Sequence, residues 1–81
     1  MLRHRINPEY VQTALQRATY KQLEDASYFG EIPGFQGVWA NGPTLGACQS
    51  ELAETLEDWL NLSLPRNLPV PDVEGIELIV E

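Results

Sequence analysis

Residues 44–62, TLGACQSELAETLEDWLNL, decide the fold class of this chain. Apolar residues recur there at steps of three and four, which is the spacing of one face of an α-helix. The apolar stripe consists of Leu45, Cys48, Leu52, Leu56, Trp59 and Leu60. The stretch therefore predicts a long amphipathic helix that Thr44 opens, and we expect it to end near Leu62, before Ser63-Leu64-Pro65.

Acidic residues of this helix lie largely away from its apolar stripe, and they are Glu51, Glu54, Glu57 and Asp58. Neither Lys nor Arg occurs between Thr44 and Arg66, so none of these acids has a cationic partner three or four residues away on the same helix. We therefore expect a solvent-facing set of carboxylates that attracts cations from another molecule.

The residues before the long helix predict three short strands, because aromatic and β-branched residues alternate there with polar ones. The predicted strands cover about residues 19–24, 28–32 and 38–40. Asp25-Ala26-Ser27 is typical of a turn, Pro33-Gly34 stops the second strand, and Asn41-Gly42 ends the third. Tight connections of this kind predict an antiparallel meander.

Further elements are predicted on both sides of this core. Asn7-Pro8-Glu9 begins a helix over about residues 8–18, because Asn caps free N–H groups and Pro suits the first helical position. Residues 65–75 contain three prolines and predict a semi-extended connector. Residues 76–80 predict a final strand that joins the meander, since an isolated apolar strand has nothing to pair with.

Together these elements predict one α+β domain over residues 1–81, with an N-terminal helix extension at about 7–18 and a core at about 19–80. A chain of 81 residues builds only a small core of its own, so a partner subunit would add to it. No apolar run approaches the ~20 residues that cross a bilayer. Cys48 is the only cysteine, and no apolar segment follows the basic start, so we expect a cytoplasmic location.

Charge is distributed unevenly along the chain, which has a formal net charge of −7. Residues 1–21 contain four basic residues and one acidic residue, whereas residues 22–81 contain one basic residue and eleven acidic ones. A body this acidic repels phosphate backbones, so direct binding to nucleic acid is not expected. A basic protein partner fits the sign of the charge, and the alternative is that the acidity only keeps a small protein in solution.

Catalytic chemistry has little support in the sequence, and we expect no enzyme, no cofactor and no metal site. The only histidine is His4, near the start of the chain, and Cys48 lies on the apolar stripe as a small buried hydrophobe. The remaining enzyme hypothesis is a metal-dependent nuclease in which Glu24, Asp25 and Glu31 converge on a metal ion. Strand edges are poor places for such a site, because it requires a dry cleft.

Aromatic residues of the predicted strands indicate an interface. Tyr28 and Phe29 are neighbours on one strand, so their side chains point to opposite faces of the sheet and cannot both enter one core. We expect Phe29 and Trp39 to form an interface with a partner or with a second copy of the chain. Trp59 lies on the apolar stripe of the long helix and is expected in the core.

Three motifs together resemble a known family. The chain has an acidic turn after a strand at Tyr20-Lys21-Gln22-Leu23-Glu24-Asp25, a strand that runs into Pro-Gly at Tyr28-Phe29-Gly30-Glu31-Ile32-Pro33-Gly34-Phe35, and a helix opened by Gly42-Pro43-Thr44-Leu45. Over about residues 19–80 this pattern resembles the HicB-like antitoxin family. The chain departs from the family pattern where Gly46-Ala47-Cys48 replaces the usual glutamate of a capping box, and in its N-terminal helix.

The resemblance implies a partial ribonuclease-H-like fold of order β-β-β-α-β and a non-catalytic function. It implies that the chain binds and neutralises a HicA-type toxin, a small basic mRNA-cleaving ribonuclease, and forms a dimer or tetramer. Family members often carry a C-terminal DNA-binding domain, and without one in this sequence autorepression is not expected. The toxin-binding residues are then expected to be Glu31, Glu51, Glu54 and Asp58. The alternative is an orphan homo-oligomer with a regulatory or structural role and no toxin.

Overall fold

The structure is a computed structural model that describes residues 5–66 and 68–80. Its elements follow the order β1 (Arg5–Ile6), α1 (Pro8–Gln16), β2 (Thr19–Gln22), β3 (Tyr28–Glu31), β4 (Trp39–Gly42), α2 (Leu45–Ser63) and β5 (Ile79–Val80). A helix, an antiparallel three-stranded meander and a long helix follow one another, which confirms the α+β class. In the described ranges, neither helix has the length and apolarity to cross a membrane.

The meander has the strand order β2-β3-β4, and both of its pairings are antiparallel. Two adjacent rows of paired residues run across it: Tyr20, Gly30 and Ala40 in the first row, and Lys21, Phe29 and Asn41 in the second. The first row faces α2, because Gly30 lies against the Cys48 sulfur of that helix. The second row faces away from α2, since successive side chains of a strand alternate between the two faces.

The first connection of the meander is a tight turn built from its own polar groups. The Leu23 N–H donates to the Ser27 carbonyl at 2.8 Å, and the Asp25 carboxylate accepts from the Ser27 N–H at 3.0 Å. The second connection contains Gly34, whose φ of 89° lies in the left-handed region that glycine tolerates. The predicted turns at Asp25-Ala26-Ser27 and Pro33-Gly34 are therefore confirmed.

The buried face of α2 is the centre of the core. The Thr44 hydroxyl accepts from the Ala47 N–H at 3.0 Å and starts the helix as predicted. The fully buried hydrophobic residues of the helix are Cys48, Leu52, Leu56 and Leu60. They pack in one cluster with Tyr10, Val11, Ala14, Ile32, Phe35, Val38, Ala40 and Val73. Each buried leucine stabilises the fold by about 2 kcal/mol relative to an exposed one.

Glycine residues let α2 lie close to the sheet. A Cβ atom on Gly42 would lie 2.7 Å from the Cys48 backbone nitrogen, and one on Gly30 would lie 3.1 Å from the Cys48 sulfur. The Cys48 thiol lies 3.7 Å from the Ala40 carbonyl and donates to it. The first turns of α2 therefore rest almost directly on the backbone of β4.

α1 packs between α2 and the proline-containing connector. The Asn7 side chain caps α1 and accepts from the Glu9 N–H at 3.0 Å, as the sequence predicts. Tyr10 is buried, donates its hydroxyl to the Pro71 carbonyl at 2.6 Å, and meets Phe35 edge to face with the ring centroids 6.4 Å apart. The connector is thus fixed to the same core as the helices.

The final strand does not join the meander, so that prediction is wrong. β5 pairs antiparallel with β1, and the two form a separate two-stranded sheet. Asn7 fixes this pairing, because its N–H donates to the Leu78 carbonyl at 2.7 Å and its side-chain amide donates to the Glu77 carbonyl at 2.8 Å. The strand β1 was not predicted from the sequence. It supplies the hydrogen-bond partners that β5 was expected to find in the meander. The partial ribonuclease-H-like fold stays a prediction.

Three boundaries also differ from the prediction. α1 ends at Gln16 instead of residue 18, β2 ends at Gln22 instead of residue 24, and Asn41 and Gly42 belong to β4 instead of a turn. The pairing of Gly42 with Tyr28 extends the strand by two residues beyond the expected end at residue 40. Leu45 of the predicted apolar stripe is 41% exposed, so the buried face of α2 begins at Cys48.

Candidate functional site

The face of the meander that points away from α2 carries an exposed aromatic pair. Trp39 is 56% exposed, and its ring stacks on that of Phe29 with the centroids 6.0 Å apart and the planes at 25°. The surface that we call the open sheet face consists of Thr19, Lys21, Phe29, Glu31, Trp39 and Asn41. The structure therefore brings the two predicted interface residues together in one exposed apolar patch, which is typical of an interaction site.

Carboxylates line the solvent face of α2. Glu51, Glu54 and Asp58 are exposed and follow one another at steps of three and four residues, so they form what we call the acidic row. Glu54 and Asp58 lie on the side of the helix opposite the buried leucines, and Glu51 lies toward one flank. Among the residues whose side chains the structure describes, 6–66 and 68–79, no Lys or Arg nitrogen comes within 4.0 Å of these carboxylates. The described chain therefore leaves their charges unpaired.

Glu31 lies on a different surface from the other three predicted toxin-binding acids. It belongs to the open sheet face, and the sheet separates it from the acidic row on α2. A partner that lies flat against one surface contacts either Glu31 or the acidic row. The sequence shows that all four residues are acidic. It does not show that Glu31 lies on a different face, because that depends on the strand register.

The acids of the metal-site hypothesis do not converge. Glu24 and Asp25 lie in the β2–β3 turn, whereas Glu31 lies at the far end of β3, roughly 10 Å along the strand from its first residue. Hydrogen bonds from the Ser27 hydroxyl and N–H hold the pKa of Asp25 below its ordinary value, so this carboxylate serves the turn. Across the described ranges, no three His, Cys, Asp or Glu residues are grouped as metal ligands.

The lone cysteine belongs to the core. Cys48 is 0% exposed, and burial raises the pKa of its thiol, which favours the un-ionised and unreactive form. Its prediction as a small buried hydrophobe is confirmed. His4, the only residue that the sequence offered as a catalytic base, lies outside the described residues.

Grooves flank α2 on two sides, and the sequence analysis predicted neither. The first has a volume of about 490 Å³ and is lined by Gln12, Leu15, Gln16, Ala18, Tyr20 and Gln49. The second has a volume of about 500 Å³ and is lined by Gly34, Gln36, Trp59, Pro69, Val70 and Pro71. None of these lining residues carries a charge, and Tyr20 is the one titratable side chain among them.

Trp59 lies between the core and the second groove. Its ring meets Phe35 edge to face with the centroids 5.6 Å apart, and the rest of the side chain stays partly exposed. Trp59, which was expected in the core, is therefore only partly buried. The clustering of Pro69 and Pro71 was the one sequence signal for this groove, because proline-rich segments often lie against aromatic rings.

These features define a small α+β domain in which one long helix covers one face of a three-stranded sheet and the other face stays open. The UPF0150-like family matches residues 9–71, and the chain belongs to this family. The crystal structure of TTHA0281 from Thermus thermophilus is similar, with a TM-score of 0.76 and 39% sequence identity over 90% of this chain and 89% of that chain. No curated protein matches the chain.

Proposed function

We propose that this chain is a non-catalytic HicB-like antitoxin that binds and neutralises a small basic mRNA-cleaving ribonuclease of the HicA type. One observation carries the proposal: the acidic row of α2 is exposed and has no cationic partner within the described residues. Membership of the UPF0150-like family and the resemblance over about residues 19–80 support it. The proposal includes a cytoplasmic location, no cofactor and no direct contact with nucleic acid.

The proposed mechanism is electrostatic and steric. The acidic row covers seven residue steps of α2, or about 10 Å along the helix axis. Carboxylates at this spacing compete with RNA phosphates for the Lys and Arg side chains of a ribonuclease, and their long-range field accelerates association. Once bound, the helix covers the surface that the ribonuclease needs for RNA, including its catalytic histidine.

Charge reversal on the acidic row tests this mechanism. Glu51→Lys with Asp58→Lys is expected to lower the association rate with a small basic HicA-type ribonuclease by about tenfold or more, and to flatten the dependence of that rate on salt. The physical reason is that the variant replaces attraction by repulsion at the docking helix. Stopped-flow fluorescence or surface plasmon resonance at several salt concentrations measures both quantities.

The matched control changes the net charge by the same amount elsewhere. Glu24→Lys with Glu77→Lys alters two exposed acids outside α2. The proposal requires this control to keep most of the association rate and of its salt dependence. Equal losses in the two variants would mean that net charge alone matters, and that the acidic row is not the binding site.

A second candidate function is an orphan homo-oligomer with a regulatory or structural role. The exposed pair of Phe29 and Trp39 favours it, because a stacked aromatic patch on an open sheet face is a common contact between subunits. This face also carries the single charges of Lys21 and Glu31, so two copies can meet there without the repulsion that their net charge of −7 produces elsewhere.

Removal of the exposed tryptophan separates the two candidates. Trp39→Ser is expected to weaken self-association by about thirtyfold if the open sheet face joins two copies, since buried tryptophans dominate interface energies. Light scattering over a range of concentrations measures the effect, and Leu62→Ser on α2, also strongly exposed, is the control. A wild-type protein that stays monomeric at every concentration would eliminate the homo-oligomer.

A further inference from the structure

The direction of the backbone groups in the meander follows from one hydrogen bond. The Leu23 N–H donates to the Ser27 carbonyl, so these two residues form a hydrogen-bonded pair at the start of the β2–β3 ladder. Hydrogen-bonded and non-hydrogen-bonded pairs alternate along an antiparallel ladder. The pairing of Phe29 with Lys21 is therefore hydrogen-bonded, and the backbone groups of Tyr28 point away from β2, toward β4.

The same alternation fixes the outer edge of the sheet. Tyr28 and Gly30 direct their backbone groups to β4, where they pair with Gly42 and Ala40. Those two residues of β4 consequently point inward. Trp39 and Asn41 point outward, and their two N–H groups and two carbonyl groups form the outer edge of β4.

This edge lacks the usual protection against strand pairing. In the described ranges β4 pairs only with β3, and its sequence Trp-Ala-Asn-Gly contains neither a charge nor a proline. Proteins commonly protect edge strands with lysine, proline or a covering element. The opposite edge, β2, does carry a lysine at Lys21.

One flank of α2 runs beside the β4 edge. Gln49 lines the groove with α1 and Tyr20, so its flank of the helix faces β2. The opposite flank carries Glu51 and Thr55, which are four residues apart, and it faces the β4 side. Glu51 is exposed.

We propose that the outer edge of β4 is a docking site for an extended, cationic strand of a partner protein. Main-chain hydrogen bonds to Trp39 and Asn41 supply the affinity of such strand addition, and a Lys or Arg side chain of the added strand pairs with Glu51. The inference rests on the proposed function in that it takes the partner to be basic. It adds the segment of that partner which binds, and the main-chain groups which hold it.

A second copy of this chain is a poor occupant of the same edge. Antiparallel pairing of β4 with β4 of another copy places the two α2 helices side by side on one face of a six-stranded sheet. The flanks that carry Glu51 then approach each other, and like charges at an interface are repulsive. The charge of this edge therefore selects a cationic strand.

A peptide titration monitored by nuclear magnetic resonance tests the proposal on the full chain. The probe is an acetylated and amidated peptide of alternating Lys and Val, about eight residues long, which is the length of an ordinary strand. We expect the largest amide shifts at Trp39 and Asn41, together with slower hydrogen exchange at these two amides. Light scattering on the protein without peptide reports any pairing between copies.

Three variants isolate the main-chain contact. Asn41→Pro removes an outward N–H and leaves the β3–β4 ladder intact, so it is expected to weaken peptide binding by about five- to tenfold. Asn41→Ala removes only the side-chain amide that donates to the Tyr28 carbonyl at 2.9 Å, and it should bind like the wild type. Gln22→Pro removes an outward N–H from the β2 edge instead, and it should also bind normally.

Either of two results would overturn the proposal. One is a set of shifts centred on β2 or spread over all acidic residues, with no change at Trp39 and Asn41 of the wild type. The other is equal peptide affinity in Asn41→Pro and Asn41→Ala. Neither result depends on whether a toxin exists, so failure of the strand-addition site is distinguishable from failure of the antitoxin proposal, which the charge-reversal variants test.

Discussion

Gly42→Ala is expected to destabilise the protein by about 3 kcal/mol, because α2 has no room to move away from the new side chain without losing its core contacts. The added Cβ would lie 2.7 Å from the Cys48 backbone nitrogen and 3.0 Å from its Cα. These are main-chain atoms inside a helix, so a change of rotamer cannot relieve the clash. The helix as a whole has to shift away from β4.

Gly46→Ala is the matched control for this substitution. Gly46 lies in the first turn of α2, and no atom outside its own helix backbone approaches within 4 Å of the position that a Cβ would occupy. Because alanine favours the helical conformation, this variant should be more stable than the wild type by about 0.5–1 kcal/mol. Urea midpoints at constant m value measure both changes. Equal stability of the two variants would show that α2 does not approach the sheet as closely as described.

Leu56→Ala is expected to cost about 3–4 kcal/mol, which is a large part of the total stability of a small domain. Leu56 is 0% exposed and lies between Leu52 and Leu60 on the buried face of α2. Removal of three side-chain carbons leaves a cavity that the meander, α1 and α2 all border. A cavity shared by several elements closes poorly, so the loss exceeds the transfer free energy of the missing groups.

Leu62→Ala is the control, since the same chemical change is made at a side chain that is 60% exposed. We expect it to change the free energy of unfolding by less than about 0.5 kcal/mol. Thermal and urea denaturation of both variants provide the comparison. A similar loss at the two positions would contradict the assignment of the buried and exposed faces of α2.

The sequence predicts α2 and the meander well, because both depend on local patterns. The leucines of α2 recur with the period of a helix over its whole length, and Thr44 supplies a cap at the predicted position. The turns at Asp25 and Gly34 depend on a side-chain hydrogen bond and on a positive φ, both of which have recognisable residue preferences. These parts of the fold require no knowledge of distant contacts.

The position of the last strand depends on a contact between the two ends of the chain. β5 pairs with β1, and β1 has only two residues, which is too short for a pattern of alternation. Asn7 both caps α1 and holds the chain at Leu78, and only its first role can be read from its neighbours in sequence. Non-local pairing of such short strands leaves no periodic signal.

The candidate binding surfaces are predictable in composition and not in arrangement. Phe29 and Trp39 come together because the register pairs β3 with β4, and the stacked pair follows from that register. Glu31 separates from the acidic row for the same reason, since a shift by one residue moves a side chain to the other face. The backbone groups of β4 that point outward depend on which pairs of the ladder are hydrogen-bonded, and no residue type indicates this.

The affinity for a small basic HicA-type ribonuclease, measured by titration calorimetry at several salt concentrations, tests the central claim most directly. The wild type is compared with Glu51→Gln, Glu54→Gln, Asp58→Asn, a triple variant that keeps side-chain size and removes the charge of the acidic row. We predict that the wild type binds, that its affinity falls by about tenfold between low and physiological salt, and that the triple variant binds weakly with little salt dependence. Absence of binding, or equal affinity and equal salt dependence of the two proteins, would contradict the claim.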